Sequence, residues 1–373
     1  MDFEFGEDQE LLRATVRRFL TEQASIAYVR EMLDDERGTT DDVWSGITGL
    51  GATGLLAPEV HGGAGMGMVD MAVVLEELGR AVHPGPFAST AVGAVSLVAL
   101  TGREDDCVAL LPAFAAGART GTVALYEPGR AARWLEPGTS ATPANRGWVL
   151  TGQKTHVPDA VAADSIVATA TSPDGELGAF VIERDAPGLT IAATPTIDGT
   201  RKFATVTLDE TPVRRLGSGD ATDAVAETVD RLGIAAVVDG VGAASRALEL
   251  AVEYAKDRRQ FDRPIGSFQA VQHLCADMLR AVELARAGAY YACWAADAAD
   301  PAERHRAATM AQAFAADELY TVGASLIQVH GGIGFTWEHD AHLYYKRLLT
   351  LKELGGGSPG QLEELASLVL DSG

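Results

Sequence analysis

Cysteine is scarce in this chain of 373 residues, which has only Cys107, Cys275 and Cys293. An odd number cannot pair completely, and the spacing offers no close metal-ligand pattern. Neither a disulfide framework nor a cysteine-held metal is therefore expected. Buried or incidental thiols suit a reducing compartment, so the expected location is the cytoplasm. Long apolar runs are missing too. No stretch of about 18 apolar residues free of charge occurs, which leaves no candidate membrane span. The start, Met1 to Asp8, lacks the basic-then-apolar order of a signal peptide. Positive charge is also short, with 30 Lys and Arg against 52 Asp and Glu and a formal net charge of −22. A general nucleic-acid binder needs a concentrated basic face, so that class is excluded. A polyanionic small molecule is not, because a few clustered arginines can dominate their own surroundings.

The chain is long enough for two or three domains, with 47% apolar residues and no internal repeat or low-complexity linker. Residues 1–118 read as helical. Leu12, Val16, Phe19 and Leu20 recur at helical spacing, Asp70–Arg80 is a second amphipathic segment, and glycine-rich Pro58–Gly65 must be a loop. The texture changes over 119–220, where Thr120–Tyr126, Trp148–Leu150, Ser165–Thr169, Gly178–Ile182 and Phe203–Leu208 are short strand-like runs. Turn residues separate them, Pro173-Asp174-Gly175 most clearly. Several strands without long intervening helices predict an antiparallel sheet. Helical texture returns over 221–373, in long segments to about 318 and another over 319–329. The fold class is α+β, in the order helix, sheet, helix.

The segment Glu249–Met278 carries the most chemistry. It predicts a helix ending near Phe261, a bend at Pro264–Gly266 and a second helix from Ser267. Arg258, Arg259 and Arg263 cluster at the first helix's C-terminal end, where cations are favoured and guanidinium forks can grip phosphate. A second block, Gln328-Val-His-Gly-Gly-Ile-Gly-Phe-Thr-Trp-Glu338, follows later. Together the two blocks resemble the signature of the flavin-dependent acyl-CoA dehydrogenase family. The resemblance implies a small β-domain between two helical domains, the last a four-helix bundle, with FAD between the sheet and the C-terminal helices. It implies an acyl-CoA substrate oxidised to the trans-2-enoyl-CoA, and an electron-transfer flavoprotein or equivalent acceptor. It also implies a dimer-based tetramer, either of identical subunits or with a related one. By the same resemblance Arg258 reaches the pyrophosphate, Phe261 packs near the adenine, and Gln269 rather than Gln272 contacts the cofactor. Gln328, Gly331 and Gly332 match a segment that a neighbouring subunit supplies. Arginine, amide and exposed glycine N–H groups suit a ligand with two phosphates and an adenine.

The chain departs from the family pattern at three places. Tyr126-Glu-Pro-Gly129 matches a flavin-lining motif, but Arg130-Ala-Ala-Arg-Trp134 replaces its continuation. His156 stands where many relatives carry a tryptophan against the flavin; it either faces the cofactor or belongs to an ordinary loop. The glutamate that removes the substrate α-proton is absent, since Gly355 occupies its place. Glu353 is a candidate base, or a solvent-facing helix residue if the segment stays helical. Asp230 occupies a second position used by some relatives, before Arg231; it is a base, a helix N-cap or a salt-bridged acid. The partner of a mixed assembly could instead supply the carboxylate. The segments His330–Tyr344 and Leu75–Phe87 resemble the actinobacterial branch, some members of which form mixed assemblies acting on sterol side-chain thioesters. No metal is expected at His330, His339 and His342, whose spacing is weak. Gly331–Gly334 lacks the strand–turn–helix context of a dinucleotide fingerprint, and Ser267 has no base for nucleophilic chemistry.

Overall fold

The computed structural model describes residues 5–130, 132–145 and 147–370. Its elements follow the order helix, sheet, helix, and its contacts gather into two units. One unit is built from the described residues up to 29, from 72–83 and from 233 onward; the other comprises 30–71 and 84–232. Among the described residues no helix is long and apolar enough to cross a membrane.

The first helices are α1 (Glu7–Gln23), α2 (Ile26–Met32), α3 (Asp41–Gly49), α4 (Met68–Arg80), α5 (Val95–Thr101) and α6 (Glu104–Ala115). α1 buries Val16 and Leu20 from the predicted apolar stripe. α3 starts where Thr40 Oγ1 accepts the Val43 N–H at 3.4 Å, an N-cap that satisfies an orphan donor. The predicted loop at Pro58–Gly65 holds only one short 3₁₀ turn, Glu59–His61. A fully buried π-helical turn, Ser89–Ala94, precedes α5. Thr90 Oγ1 there both donates to the Gly121 carbonyl and accepts the Gly121 N–H, each at 3.0 Å, which fixes the turn to the first strand.

That strand is β1 (Gly121–Ala124), followed by β2 (Ser140–Ala144), β3 (Gly147–Pro158), β4 (Ser165–Thr171), β5 (Leu177–Glu183), β6 (Leu189–Thr194) and β7 (Phe203–Leu216). The sheet is mixed rather than wholly antiparallel as predicted, because β1 runs parallel to β4 from Gly121↔Ser165 to Ala124↔Ala168. The antiparallel pairings β4–β5, β5–β7, β7–β3 and β3–β2 return to β4 through the bridge Ser140↔Thr171, so the sheet curls back on itself. Closure of this kind leaves little open edge for unwanted pairing. The predicted turn at Pro173–Gly175 joins β4 to β5, with Gly175 at φ 86° and its N–H bonded to the Ser172 carbonyl at 2.9 Å. Leu150, Ile166, Phe180, Ile182 and Val206 form the core of this sheet. β2 and β6 had no clear signal in the sequence. β2 is mostly exposed and carries Pro143, and β6 alternates between half-buried and exposed positions while pairing only with β7.

The C-terminal elements are α7 (Thr222–Asp257), β8 (Arg259–Gln260), β9 (Arg263–Pro264), α8 (Gln269–Ala298), α9 (Pro301–His330), α10 (Ala341–Glu353) and α11 (Gly357–Leu370). The helix expected to reach Phe261 stops at Asp257, and a two-residue hairpin turn follows. Phe261 and Asp262 occupy left-handed backbone at φ 53° and 61°, as a type I′ turn requires. The next helix begins at Gln269 rather than Ser267. The later break falls near Asp300, not near 318, because Asp300 caps α9 by accepting the Glu303 N–H at 2.9 Å and Pro301 opens the helix. α4 and α7 pack with backbones nearly touching: a Cβ on Gly79 would lie 1.9 Å from the Asp239 carbonyl, and one on Gly242 would lie 1.9 Å from that of Glu76. α10 is clamped by Arg347, 2% exposed, which donates to both Asp239 carboxylate oxygens at 2.8 Å and to the His83 carbonyl at 3.0 Å.

Candidate functional site

The hairpin after α7 gathers the predicted cofactor residues on an exposed surface. Its base is tied by Arg258, whose N–H donates to the Tyr254 carbonyl and whose own carbonyl accepts from Ile265, both at 2.8 Å. The Arg258 side chain is exposed, and Phe261 stands at the tip, 86% exposed. The Arg263 guanidinium lies 4.1 Å over the Phe268 ring, itself 6.1 Å from Phe261. Gln269 is exposed at the start of α8, whereas the Gln272 amide donates to the Gly266 carbonyl at 2.9 Å. That bond engages the Gln272 amide within the chain. Three guanidinium groups on a chain of net charge −22 make this a local cationic surface with an aromatic tip.

Gln328, Gly331 and Gly332 are exposed at the end of α9, with Gly331 at φ 64°. A Cβ built on either glycine meets nothing within 4 Å, so their backbone is open to an approaching group. Phe335 (67% exposed) and Trp337 (66%) follow. His330 is buried instead, with Nδ1 2.9 Å from the Leu326 carbonyl and its ring stacked 4.3 Å from that of Tyr254. Burial, aided by nearby His339, lowers its pKa. Among the described residues, no group of three or more His, Cys, Asp or Glu side chains is placed to hold a metal. A recess of about 380 Å³ in the same unit is lined by Arg17, Arg80, Arg246 and Tyr344, among others, but by none of the predicted site residues. Each of its arginines is already paired, with Glu77, Glu249, or both Glu249 and Glu253.

In the sheet unit, β3 carries Lys154, fully buried, and two residues later an exposed His156. The strand's register against β7 shifts between Lys154 and Val157, and His156 sits at that bulge with φ 50°. Lys154 Nζ donates to Glu127 Oε1 at 2.8 Å and to Thr169 Oγ1 at 3.2 Å. Glu127 also accepts the Thr139 N–H at 2.9 Å and the Thr139 hydroxyl at 2.6 Å. Burial pushes the Glu127 carboxyl upward, but the Lys154 charge and these hydrogen bonds outweigh it and hold the pKa at about 2. Burial likewise brings Lys154 down to about 8 against the pull of Glu127. The pair joins the Tyr126-Glu-Pro-Gly129 segment to β3, and sequence reasoning missed it.

The depressed Glu127 pKa sets a pH dependence. The unfolded carboxyl titrates near 4.5 and the folded one near 2, so its contribution to stability is complete above 4.5 and disappears as pH falls through 2. Denaturant midpoints measured across that window should fall in the wild type and change less in Glu127→Gln. Parallel curves would show that Glu127 is not the group responsible.

The two candidate bases occupy different surroundings. Asp230 lies well inside α7, 2% exposed, which rules out the N-cap role. Just before the helix, Asp220 Oδ1 accepts the N–H of its first residue, Thr222, at 2.8 Å, and bonding to Thr222 is the main cause of its lowered pKa. Beside Asp230, Arg231 pairs with Glu227 at 2.6 Å and reaches Ser96 Oγ at 3.3 Å. Glu353 is exposed at the last residue of α10, in keeping with the solvent-facing alternative. Gly355, at the usual base position, has φ 67°, and a Cβ there would come within 2.8 Å of Gln361 Nε2. That amide is engaged, donating to the Leu354 carbonyl at 2.9 Å, and Gln361 is 5% exposed.

Comparison with known proteins agrees with this geometry. Residues 6–118 match the acyl-CoA dehydrogenase N-terminal domain and residues 223–370 the acyl-CoA dehydrogenase C-terminal domain. The chain is 34% identical to the acyl-CoA dehydrogenase IpdE2 of Mycolicibacterium smegmatis over 98% of its own length and 99% of the relative's. Its fold superposes with TM-score 0.90 on a steroid ACAD variant, Tcur3481–Tcur3483, at 34% identity, covering 98% of this chain and 99% of that one. With the ChsE4–ChsE5 complex of Mycobacterium tuberculosis the TM-score is 0.91 at 27% identity, covering 100% and 99%. With two family models spanning residues 6–118 and 223–370, and a relative 34% identical over nearly its whole length, the chain belongs to the acyl-CoA dehydrogenase family, in its actinobacterial branch.

Proposed function

We propose that this chain is a partner-dependent subunit of an FAD-dependent acyl-CoA dehydrogenase. In this reading a related subunit provides the carboxylate that removes the substrate α-proton, and the product is a trans-2-enoyl-CoA. The observation that carries the proposal is Gly355. The usual base position is a left-handed glycine, and the buried Gln361 amide fills the space a side chain would need. The similarities to the ChsE4–ChsE5 complex and to the Tcur3481–Tcur3483 steroid ACAD support a mixed assembly and a steroid-derived acyl group. Exposed Phe335 and Trp337 offer apolar surface for such an assembly.

The donor set around the hairpin has the chemistry FAD needs. Arg258 would meet the pyrophosphate as a charged, forked donor, Phe261 would face the adenine, and Gln269 would donate through its amide. Gln328 and the open backbone of Gly331 and Gly332 would serve a cofactor at their own surface. Bound FAD supplies the acceptor for the substrate β-hydrogen and passes electrons on to an electron-transfer flavoprotein or an equivalent acceptor. The residues of this chain hold and orient the cofactor, and exclude water where proton removal needs a dry site.

A second reading, an autonomous enzyme with Asp230 as base, is favoured by the buried carboxylate beside Arg231. Anaerobic mixing with a panel of acyl-CoA thioesters, followed through flavin absorbance, separates the two. The chain alone should reduce flavin at least about a hundredfold more slowly than the same chain co-expressed with a glutamate-bearing relative. Asp230→Asn in the complex should stay within about threefold of wild type. Fast reduction by the chain alone, abolished in Asp230→Asn, would replace the first reading with the second. Gly355→Glu should not create activity in the isolated chain. Its left-handed backbone should instead cost about 1–2 kcal/mol, read as a lower denaturant midpoint.

A further inference from the structure

In the loop where the chain departs from the family pattern, Trp134 joins a row of four rings. Its indole meets Tyr126 edge to face at 5.6 Å and 85°. Tyr126 meets His156 at 6.5 Å and 71°, and His156 meets Phe203 at 6.4 Å and 68°. The row draws on three separate parts of the chain: the segment after β1, the bulge in β3 and the first residue of β7. His156 is exposed, and the other three rings are half-buried, so the row is a surface rather than a core. Because each ring meets the next edge to face, the row presents alternating faces and edges, a stepped apolar surface with polarised edges.

A second, independent feature lies at the same place. His156 holds left-handed backbone at φ 50°, uncommon for a residue with a side chain, although histidine accepts it more readily than most. The surroundings are visible: Lys154 is locked inside the sheet by Glu127, and the Thr155 N–H is bonded to the Tyr126 carbonyl at 2.9 Å. These restraints turn the imidazole outward into line with Tyr126 and Phe203. The bulge thus presents an exposed imidazole beside the Tyr126 and Phe203 rings.

We infer that Trp134 is a cofactor-contacting residue, completing with Tyr126, His156 and Phe203 an aromatic wall for the flavin ring system. The inference rests on the FAD reading above and extends it to a residue outside the family motifs. An imidazole at position 156 offers less stacking surface than an indole, and the Trp134 ring restores that area from the neighbouring loop. The Arg130–Trp134 segment is thus a substitution of one wall residue for another rather than the loss of a seat.

The test is a titration of deflavinated protein with FAD, as the pure chain or as the complex that retains flavin, read by flavin fluorescence and by the visible absorption band. Trp134→Ala should weaken FAD binding about tenfold and displace the band, and Trp134→Phe, which keeps a ring against Tyr126, should weaken it about threefold. Arg133→Ala, next in sequence with an exposed side chain, should bind as wild type does. Trp134→Phe keeps the test decisive if the alanine variant fails to fold. Wild-type affinity and an unmoved band in both Trp134 variants would overturn the inference while leaving the FAD reading intact. Tighter binding by Trp134→Ala would also overturn it, because the indole would then be filling the seat. A wild-type protein that binds no FAD, alone or in complex, would overturn both.

Discussion

Lys154→Met is expected to destabilise the sheet unit by about 3–5 kcal/mol, the usual effect of removing one partner from a buried ion pair. The lysine is fully buried, and Glu127, 8% exposed, would be left charged in the same interior. Thr139 would still donate its N–H and hydroxyl to the carboxylate, but the remaining cation, exposed Arg130 with Nε 3.7 Å from Glu127 Oε2, is the weaker partner. The size of the effect is tested by its reversal: Lys154→Met combined with Glu127→Gln should recover a substantial part of the loss, since the orphaned charge is then gone. Urea midpoints for the two single variants and the double variant make the comparison. A double variant no more stable than Lys154→Met would mean that packing, not charge, holds this part of the sheet. The same lesion should loosen the bulge at His156, seen as faster hydrogen exchange at Thr155.

Neither the pair nor the bulge could be read from the sequence, and the reason is physical. Both arise from the meeting of segments distant along the chain, Tyr126–Gly129 with β3 and β3 with β7, and local composition carries no record of such meetings. What was legible followed local rules. The Val-, Ile- and Phe-rich runs of β4 and β5 announced a buried sheet, and the alanine- and leucine-rich stretches announced the long C-terminal helices. β2 was hidden because Ser-Ala-Thr-Pro-Ala is short, mostly exposed, carries a proline and has threonine as its one branched residue. The hairpin at Phe261 was hidden because phenylalanine rarely accepts left-handed backbone, so nothing in its identity signals a type I′ turn. At the candidate site the arginines, glutamines and glycines were readable as motifs. The burial of Asp230 was not, because it depends on what packs against α7.

Arg347→Met should have an effect of similar size in the other unit, again about 3–5 kcal/mol. Here Asp239, 5% exposed, would lose the guanidinium whose N–H groups reach both of its carboxylate oxygens. The substitution also removes the bond to the His83 carbonyl, so α7, α10 and the end of the α4 segment lose a shared anchor. Arg347→Lys discriminates between charge and geometry. An ammonium restores the charge but cannot span both carboxylate oxygens and the carbonyl in one plane, so it should recover only part of the loss. Thermal unfolding of the three proteins in one buffer would decide. Full recovery by lysine would show that charge alone matters at this position.

The interleaving of the two units bears on the order in which the protein can be made. The sheet unit needs nothing beyond residue 232 and can close while synthesis continues. The other unit takes segments from the start, from 72–83 and from everything after 233, so its earliest residues must wait for its latest. Until α7 leaves the ribosome, Gly79 has no Asp239 backbone to rest against, and Leu75 and Leu78 lack the later helices of their own unit. Contacts so far apart in sequence form slowly. The helices made first, α1 and α4, therefore belong to one unit with the helices made last, and that unit is complete only when synthesis ends.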